Sequence, residues 1–450
     1  MTLRLRILFF VVLSFILCTT LFAAPSSTNT STKSKSAGHV TESVRAQRRL
    51  ARLRHHRAVA RRRAAARRAA STKTTAAKAK SAPAKAVSAK AISAKATTKV
   101  AVTKTAGLHR RSRRHRYVEL FTASSFADDI TDGDVIAGED PVVRQAAIDA
   151  LGNMNGAVVA IDPTDGRILA MVNQKLALSG GAQPCSTIKV AVALAGLSEH
   201  VITREEEITL GKHYQVNLTQ ALAHSNNAYF EAVGRRLGFA KVSEYAHMFG
   251  LGELAGYNIP GEHLGEFPDH ELAAKLGGVG KMCSFGESIS MTPLQLGALV
   301  SAVANGGTLY YLQHPTSADD IINFQPRVKR QLAIGPLIPE IAEGMMGAVQ
   351  YGTARSLRLN FSEEQVLGKT GTCSKDGTRF GWFASYANTQ YGRVVAVFFL
   401  EGGRPTFGPK AAELSGKFYR ALYDHNFFAQ RPATSASDSK AEKPAVGAEQ

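Results

Sequence analysis

Apolar and polar positions change period several times along the chain, and each change predicts an element. Residues 7–24 form an apolar run without a charge, whereas residues 25–116 have almost no large apolar side chains. Short apolar runs return at Ala157-Val158-Val159-Ala160-Ile161 and Ile168-Leu169-Ala170-Met171-Val172, separated by the turn-forming Asp162-Pro163-Thr164-Asp165-Gly166. Two β-branched-rich runs around such a turn predict a hairpin. A second hairpin is predicted from Gly381-Trp382-Phe383-Ala384-Ser385-Tyr386 and Val394-Val395-Ala396-Val397-Phe398-Phe399-Leu400, with its turn at 388–392. Between the two pairs the pattern is helical. One helix is expected over 190–197, and another starts at Thr292-Pro293-Leu294-Gln295, an N-cap with Pro at the first helical position and Gln at the third, and stops at Asn305-Gly306-Gly307. A last helix is expected near 410–423. Strands early, helices in the middle and strands late predict an α+β domain: an antiparallel sheet assembled from both ends of the domain, flanked by helices, with a helical lobe inserted.

Composition divides the chain further. It has 450 residues, 55 Lys and Arg against 36 Asp and Glu, and a formal charge of +19. Residues 1–116 hold 28 of the basic residues and a single acid, Glu42, so the remainder carries 27 basic and 35 acidic residues and is net negative by 8. With 44% apolar residues the chain can bury a sizeable core, which excludes whole-chain disorder, collagen-like and small disulfide-scaffold classes. The predicted organisation is a signal peptide or N-terminal membrane anchor at 1–24, a disordered basic arm at 25–116, a folded domain at 117–430 and a disordered tail at 431–450.

Arg4 and Arg6 ahead of the apolar run have the layout of a secretory signal. Eighteen helical residues reach about 27 Å, just short of a roughly 30 Å hydrocarbon core, so cleaved signal and uncleaved anchor both stand. Lys33, Lys35 and Arg45 oppose export through the positive-inside tendency. The arm contains Arg61-Arg62-Arg63 and Arg110-Arg111 and cannot offset its ordering entropy by burial. Its chemistry suits an anion: nucleic-acid phosphates in the cytoplasm, or anionic lipid headgroups and acidic wall polymer outside it.

Three groups in the domain are candidates for chemistry. Ser186 and Lys189 lie three apart where an apolar helix begins, so the amine reaches the hydroxyl. A lysine held among apolar groups and cations has its pKa lowered from about 10.4 toward roughly 7–8, where it can take a proton from serine. The same spacing recurs at Ser437 and Lys440 in the tail, so alone it is uninformative. Ser225 and Asn227, in a stretch read as helical, can pass a proton on and hold an amide. Lys369-Thr370-Gly371-Thr372 follows the strand-like Val366-Leu367, a strand edge along which a peptide can lie while its carboxylate meets a cation.

Taken in order, Ser186-x-x-Lys189, Ser225-x-Asn227 and Lys369-Thr370-Gly371 resemble the transpeptidase domain of the penicillin-binding proteins. Ala160-Ile161-Asp162-Pro163, Gly166-Arg167-Ile168-Leu169-Ala170-Met171, Met291-Thr292-Pro293-Leu294-Gln295-Leu296 and Trp382-Phe383 are similar too, over roughly 155–423. The resemblance implies the fold shared by these proteins and the β-lactamases, and a peptidoglycan D,D-transpeptidase acting on D-Ala-D-Ala stem peptides and acylated by β-lactams. Ser186 would be the nucleophile and Lys189 its base. Ser225 and Asn227 would shuttle a proton and orient the peptide. Lys369, Thr370 and Gly371 would hold the terminal carboxylate, and the N–H groups of Ser186 and Thr372 would form the oxyanion hole. No cofactor and no metal are implied, and the histidines show no ligand spacing with Cys or acids. Because such a substrate lies outside the membrane, the resemblance places the protein in the periplasm or on the outer face of the cytoplasmic membrane. It also makes lipid or wall polymer the arm's expected partner rather than nucleic acid.

Family members usually have Gly before the nucleophile, and here it is Cys185. With Cys283 and Cys373 the domain has three cysteines, and since the motifs converge at the site, Cys373 is expected to pair with Cys185 or Cys283; three reduced buried thiols are the alternative. The single Trp, Trp382, is expected in the core. The competing functions are a D,D-carboxypeptidase, a serine β-lactamase, for which no deacylating base is assignable, and a basic nucleic-acid-binding protein with a silent penicillin-sensing body.

Overall fold

A computed structural model describes residues 121–430. The signal or anchor segment, the arm and the tail lie outside the described residues. The strands are β1 (Gly156–Ile161), β2 (Ile168–Val172), β3 (Ile208–Gly211), β4 (Tyr214–Val216), β5 (Thr308–Tyr310), β6 (Val328–Gln331), β7 (Gln365–Lys375), β8 (Thr378–Thr389) and β9 (Gly392–Gly402). The helices that matter below are α1 (Pro141–Leu151), α2 (Lys189–Ser198), α3 (Leu218–Ala223), α4 (Asn227–Met248), α5 (Gly278–Phe285), α6 (Pro293–Asn305), α7 (Ile338–Gln350) and α8 (Gly408–Asp424). Among the described residues no helix is long and apolar enough to cross a membrane.

Five strands form one sheet in the order β2-β1-β9-β8-β7, with every neighbour antiparallel. Both expected hairpins are present, Val159 facing Met171 in one and Phe383 facing Phe398 in the other. The strand from the start of the domain pairs with the one near its end, Val159 opposite Val397, so the helical middle is an insertion between them. The second hairpin is longer than its apolar core: β8 extends to Thr378 and Thr389 because cross-strand pairing continues past the last buried side chain.

The near-continuous apolar run of β9 has a physical reason in this arrangement. A strand buried on both faces has no polar side to show in its pattern. Val395, Val397 and Phe399 enter a core shared with α2 and α6, while Val394, Ala396, Phe398 and Leu400 enter a second core against α1 and α8. Trp382 is fully buried and stacks on Phe399 with ring centroids 4.0 Å apart, a core position as expected. Helix α6 begins with the predicted capping box, Thr292 and Gln295 bonding reciprocally, and ends at Gly306 in the left-handed conformation (φ 97°).

One element differs from expectation. Residues 224–227 are not within a single helix: α3 ends at Ala223, Ser225 takes a left-handed φ of 56°, and α4 starts at Asn227 with Asn226 as its N-cap. Asn and Ser compete for backbone hydrogen bonds and favour caps and turns over helix interiors. The break turns Ser225 away from a helical path and into the cleft described next.

Candidate active site

The site lies where the insertion meets the free edge of the sheet. Strand β7 is the edge strand, so alternate N–H and C=O groups on its outer side have no sheet partner and are available to an extended peptide. Facing it is a 3-10 turn, Cys185–Ile188, that runs directly into α2. Ser186 lies in the first turn, where backbone N–H groups have no acceptor inside the helix. The approach of strand and turn is tight. A β-carbon on Gly371 would lie 2.8 Å from Pro184 O and 3.2 Å from the Thr187 methyl, so only glycine permits it.

Lys189 is fully buried, and its Nζ lies 3.0 Å from Ser186 Oγ, 2.8 Å from Ser225 O, 3.1 Å from Ser225 Oγ and 2.6 Å from Asn227 Oδ1. Lys369 is also buried, and its Nζ donates to Ser225 Oγ at 2.8 Å and to Thr370 O at 3.0 Å. The Ser225 hydroxyl thus bridges the two amines. Burial, reinforced by the nearby Lys369 charge, lowers the Lys189 pKa to about 6. Burial lowers that of Lys369 to about 7. No carboxylate hydrogen-bonds to Ser186 or Lys189 among the described residues; the other oxygen near Ser186 Oγ is Ser284 O, at 3.5 Å.

Thr370 and Thr372 share one face of β7, opposite to that of Lys369 and Gly371. Thr370 Oγ1 is 2.6 Å from Thr353 Oγ1. Thr372 uses its hydroxyl elsewhere, accepting at 2.8 Å from the N–H of Gly408 at the start of α8; any contribution of Thr372 to the cleft is therefore through its backbone. Cys185 and Cys373 are joined by a disulfide with a Cα separation of 5.5 Å, while Cys283 is buried and free, its thiol pushed up to about 12 by burial. Cys185 has a left-handed φ of 52°, the conformation glycine adopts without a steric penalty. Glycine therefore suits the position, and cysteine holds it at a steric cost.

Ser186, Lys189, Ser225, Asn227 and Lys369 therefore converge within hydrogen-bonding reach, while the Thr370 and Thr372 hydroxyls bond outside this cluster. Sequence reasoning missed Thr353, which follows α7. Its N–H donates to Ala223 O at 3.1 Å while its hydroxyl meets Thr370, so it ties the end of α3 to β7. The only local signal is Gly352 beside it, where a β-carbon would lie 2.1 Å from Ala223 O.

A sheet edge facing a helix-borne Ser and Lys, with a second Ser and Lys closing the cleft, is the arrangement that serine acyl transfer requires. The chain belongs to the family of the penicillin binding protein transpeptidase domain, whose family model matches residues 156–423. Stage V sporulation protein D of Bacillus subtilis is 28% identical over 260 residues, covering 48% of this chain and 39% of that protein. Peptidoglycan D,D-transpeptidase PbpA of Mycobacterium tuberculosis is 25% identical over 391 residues, 71% of this chain and 76% of that protein. The chain thus matches under half the length of the first relative and about three quarters of the second. Two solved structures share the fold. The D,D-transpeptidase domain of a peptidoglycan glycosyltransferase from Eggerthella lenta has a TM-score of 0.52 and 20% identity, with 64% of this chain and 82% of that one covered. Pseudomonas aeruginosa PBP2, solved in complex with WCK 5153, has a TM-score of 0.54 and 23% identity, with 65% and 78% covered.

Proposed function

We propose that the protein is a serine-type peptidoglycan D,D-transpeptidase. The observation that carries this reading is the placement of Ser186 Oγ 3.0 Å from a fully buried lysine whose pKa is lowered to about 6. At neutral pH Lys189 is mostly the free amine and accepts the Ser186 proton as Oγ attacks the penultimate D-Ala carbonyl. The Ser186 and Thr372 N–H groups receive the developing oxyanion, single donors of this kind being worth around 10²–10³ in rate. Lys369, with Thr370 held by Thr353, binds the terminal carboxylate while Gly371 keeps the strand close. Asn227 orients the peptide and the Lys189 amine. The proton passes from Lys189 through the Ser225 hydroxyl to the departing D-Ala amine. An amine of a second stem peptide then takes the acyl group from Ser186, forming the crosslink.

The absence of a carboxylate hydrogen-bonded to Ser186 or Lys189 among the described residues supports a long-lived acyl-enzyme over a β-lactamase, which needs a base to activate water. Incubation with a fluorescent penicillin followed by intact mass and release kinetics tests this. A stable single adduct, lost in Ser186→Ala, is expected; rapid turnover would identify a β-lactamase, and no adduct defeats the reading.

The same proposal places the domain outside the cytoplasm, exported or anchored by residues 7–24. The arm at 25–116, with 26 basic residues and Glu42 as its one acid, then holds the protein at anionic lipid or acidic wall polymer rather than at nucleic acid. The full chain is expected to pellet with anionic vesicles at low salt and a chain lacking 25–116 to stay in the supernatant; equal pelleting would remove the arm from this role.

A further inference from the structure

The mechanism leaves one covalent feature of the site unused. Cys185 immediately precedes Ser186, and Cys373 immediately follows Thr372; the bond between them joins the neighbours of the two residues assigned to the oxyanion hole. The two segments are otherwise held by weaker means. The close fit at Gly371 is contact without a bond. The Trp382 indole N–H, 3.0 Å from Gln183 O, braces the segment just ahead of the turn from β8, the neighbouring strand. Past Thr372, β7 has β8 on one side only, and its last residues, Ser374 and Lys375, are exposed. Cys185, meanwhile, sits at φ 52°, a conformation unfavourable for a residue with a β-carbon unless its surroundings impose it.

We propose that the Cys185–Cys373 disulfide is a positioning element of the oxyanion hole, setting the separation of the nucleophile turn and the β7 edge, so that acyl transfer by this protein depends on the redox state of these two cysteines. The inference rests on the transpeptidase reading above. Two electrons and two protons from a small dithiol convert the bond into two thiols, the dithiol leaving as its cyclic disulfide. Attack is directed to Cys373, since Cys185 is fully buried. Cys373 is half-buried, and its neighbours Gln183 and Ser374 line a cleft of about 540 Å³. In the reduced protein Cys185 no longer has its second attachment, and the turn is free to relax away from the strained backbone angle. Because the donors must meet an oxygen that exists only in the transition state, such a shift acts on the chemical step more than on ground-state binding.

The test compares oxidised protein, protein reduced with dithiothreitol and alkylated, reoxidised protein, and Cys185→Gly/Cys373→Ser. For each, the rate constant of Ser186 acylation at saturating fluorescent penicillin is separated from the dissociation constant of the initial complex, and melting temperature is recorded. A misplacement near 1 Å costs about 100-fold in rate. We therefore expect the acylation rate constant to fall at least about ten-fold on reduction and to return on reoxidation. The dissociation constant should move by less than about three-fold, and the double variant should be insensitive to dithiothreitol. A reduced protein and a double variant that melt lower yet acylate at the oxidised rate would assign the bond to stability alone and overturn the inference. No adduct in the oxidised protein would overturn the functional reading and this inference with it.

Discussion

Lys189 has more polar neighbours than one protonation state can serve equally. A neutral amine has two N–H donors and one lone pair. Asn227 Oδ1 at 2.6 Å and the Ser225 carbonyl at 2.8 Å only accept, and they take both donors. The lone pair is left for a hydroxyl, and Ser186 at 3.0 Å is in place to donate to it. On the proposed reading these hydrogen bonds leave the Lys189 lone pair to the Ser186 and Ser225 hydroxyls, and the lowered pKa supplies the neutral state a base would need. Lys369 needs the opposite state, protonated, to attract a carboxylate. The second-order rate of penicillin acylation, which reports groups of the free enzyme, should therefore rise with pH through about 6 as Lys189 loses its proton. It should fall again above about 7 as Lys369 loses its charge. Adduct formation followed from pH 5 to 9 checks this, and a rate that climbs steadily to pH 9 would contradict it. The residue types of this set are legible from sequence because three motifs follow one another in order, whereas a single spacing can recur elsewhere, as at Ser437 and Lys440. The bridging of two amines by Ser225 is not, since it depends on a left-handed residue between two helices that pattern merges into one.

At the scale of elements, the site is a junction between a strand edge, a helix start and a helix break. The two hairpins of the main sheet are readable because their apolar runs are short and bounded by turn residues, and α6 is readable from its cap; the short strands β3 to β6 carry no such run. The ties between elements are less so. Thr353 joins the end of α3 to β7 through one N–H and one hydroxyl, 130 residues from Ala223 and 17 from Thr370 in the chain. No local period marks such a residue, because its role comes from tertiary placement. Thr353→Val keeps the backbone N–H and the shape but removes the hydrogen bond to Thr370. A hydrogen bond contributes about 1 kcal/mol net, so acylation efficiency should fall roughly five-fold. Acylation kinetics and thermal melting together check it: an unchanged rate with a lowered melting temperature would make Thr353 a packing residue only.

Over the whole molecule, the charge of +19 describes two unlike parts, a basic stretch before residue 117 and a net-negative remainder. On the proposed reading, attraction of an anionic stem peptide to the cleft would rest on local cations such as Lys369 rather than on the net charge of the domain. The division follows from composition, and the family from three motifs in order, whereas the choice of Cys185 over Cys283 as the partner of Cys373 needed the fold, with Cys185 and Cys373 lying 188 residues apart in sequence. What remains is the fate of the acyl group, which separates a transpeptidase from a carboxypeptidase with the same site. The direct measurement incubates the full chain with a stem pentapeptide ending in D-Ala-D-Ala and an amine-bearing acceptor peptide, and follows products by mass. A transpeptidase yields a crosslinked dimer and free D-Ala in equal amounts, both lost in Ser186→Ala; release of D-Ala with only the hydrolysed tetrapeptide, or no release at all, would contradict this assignment.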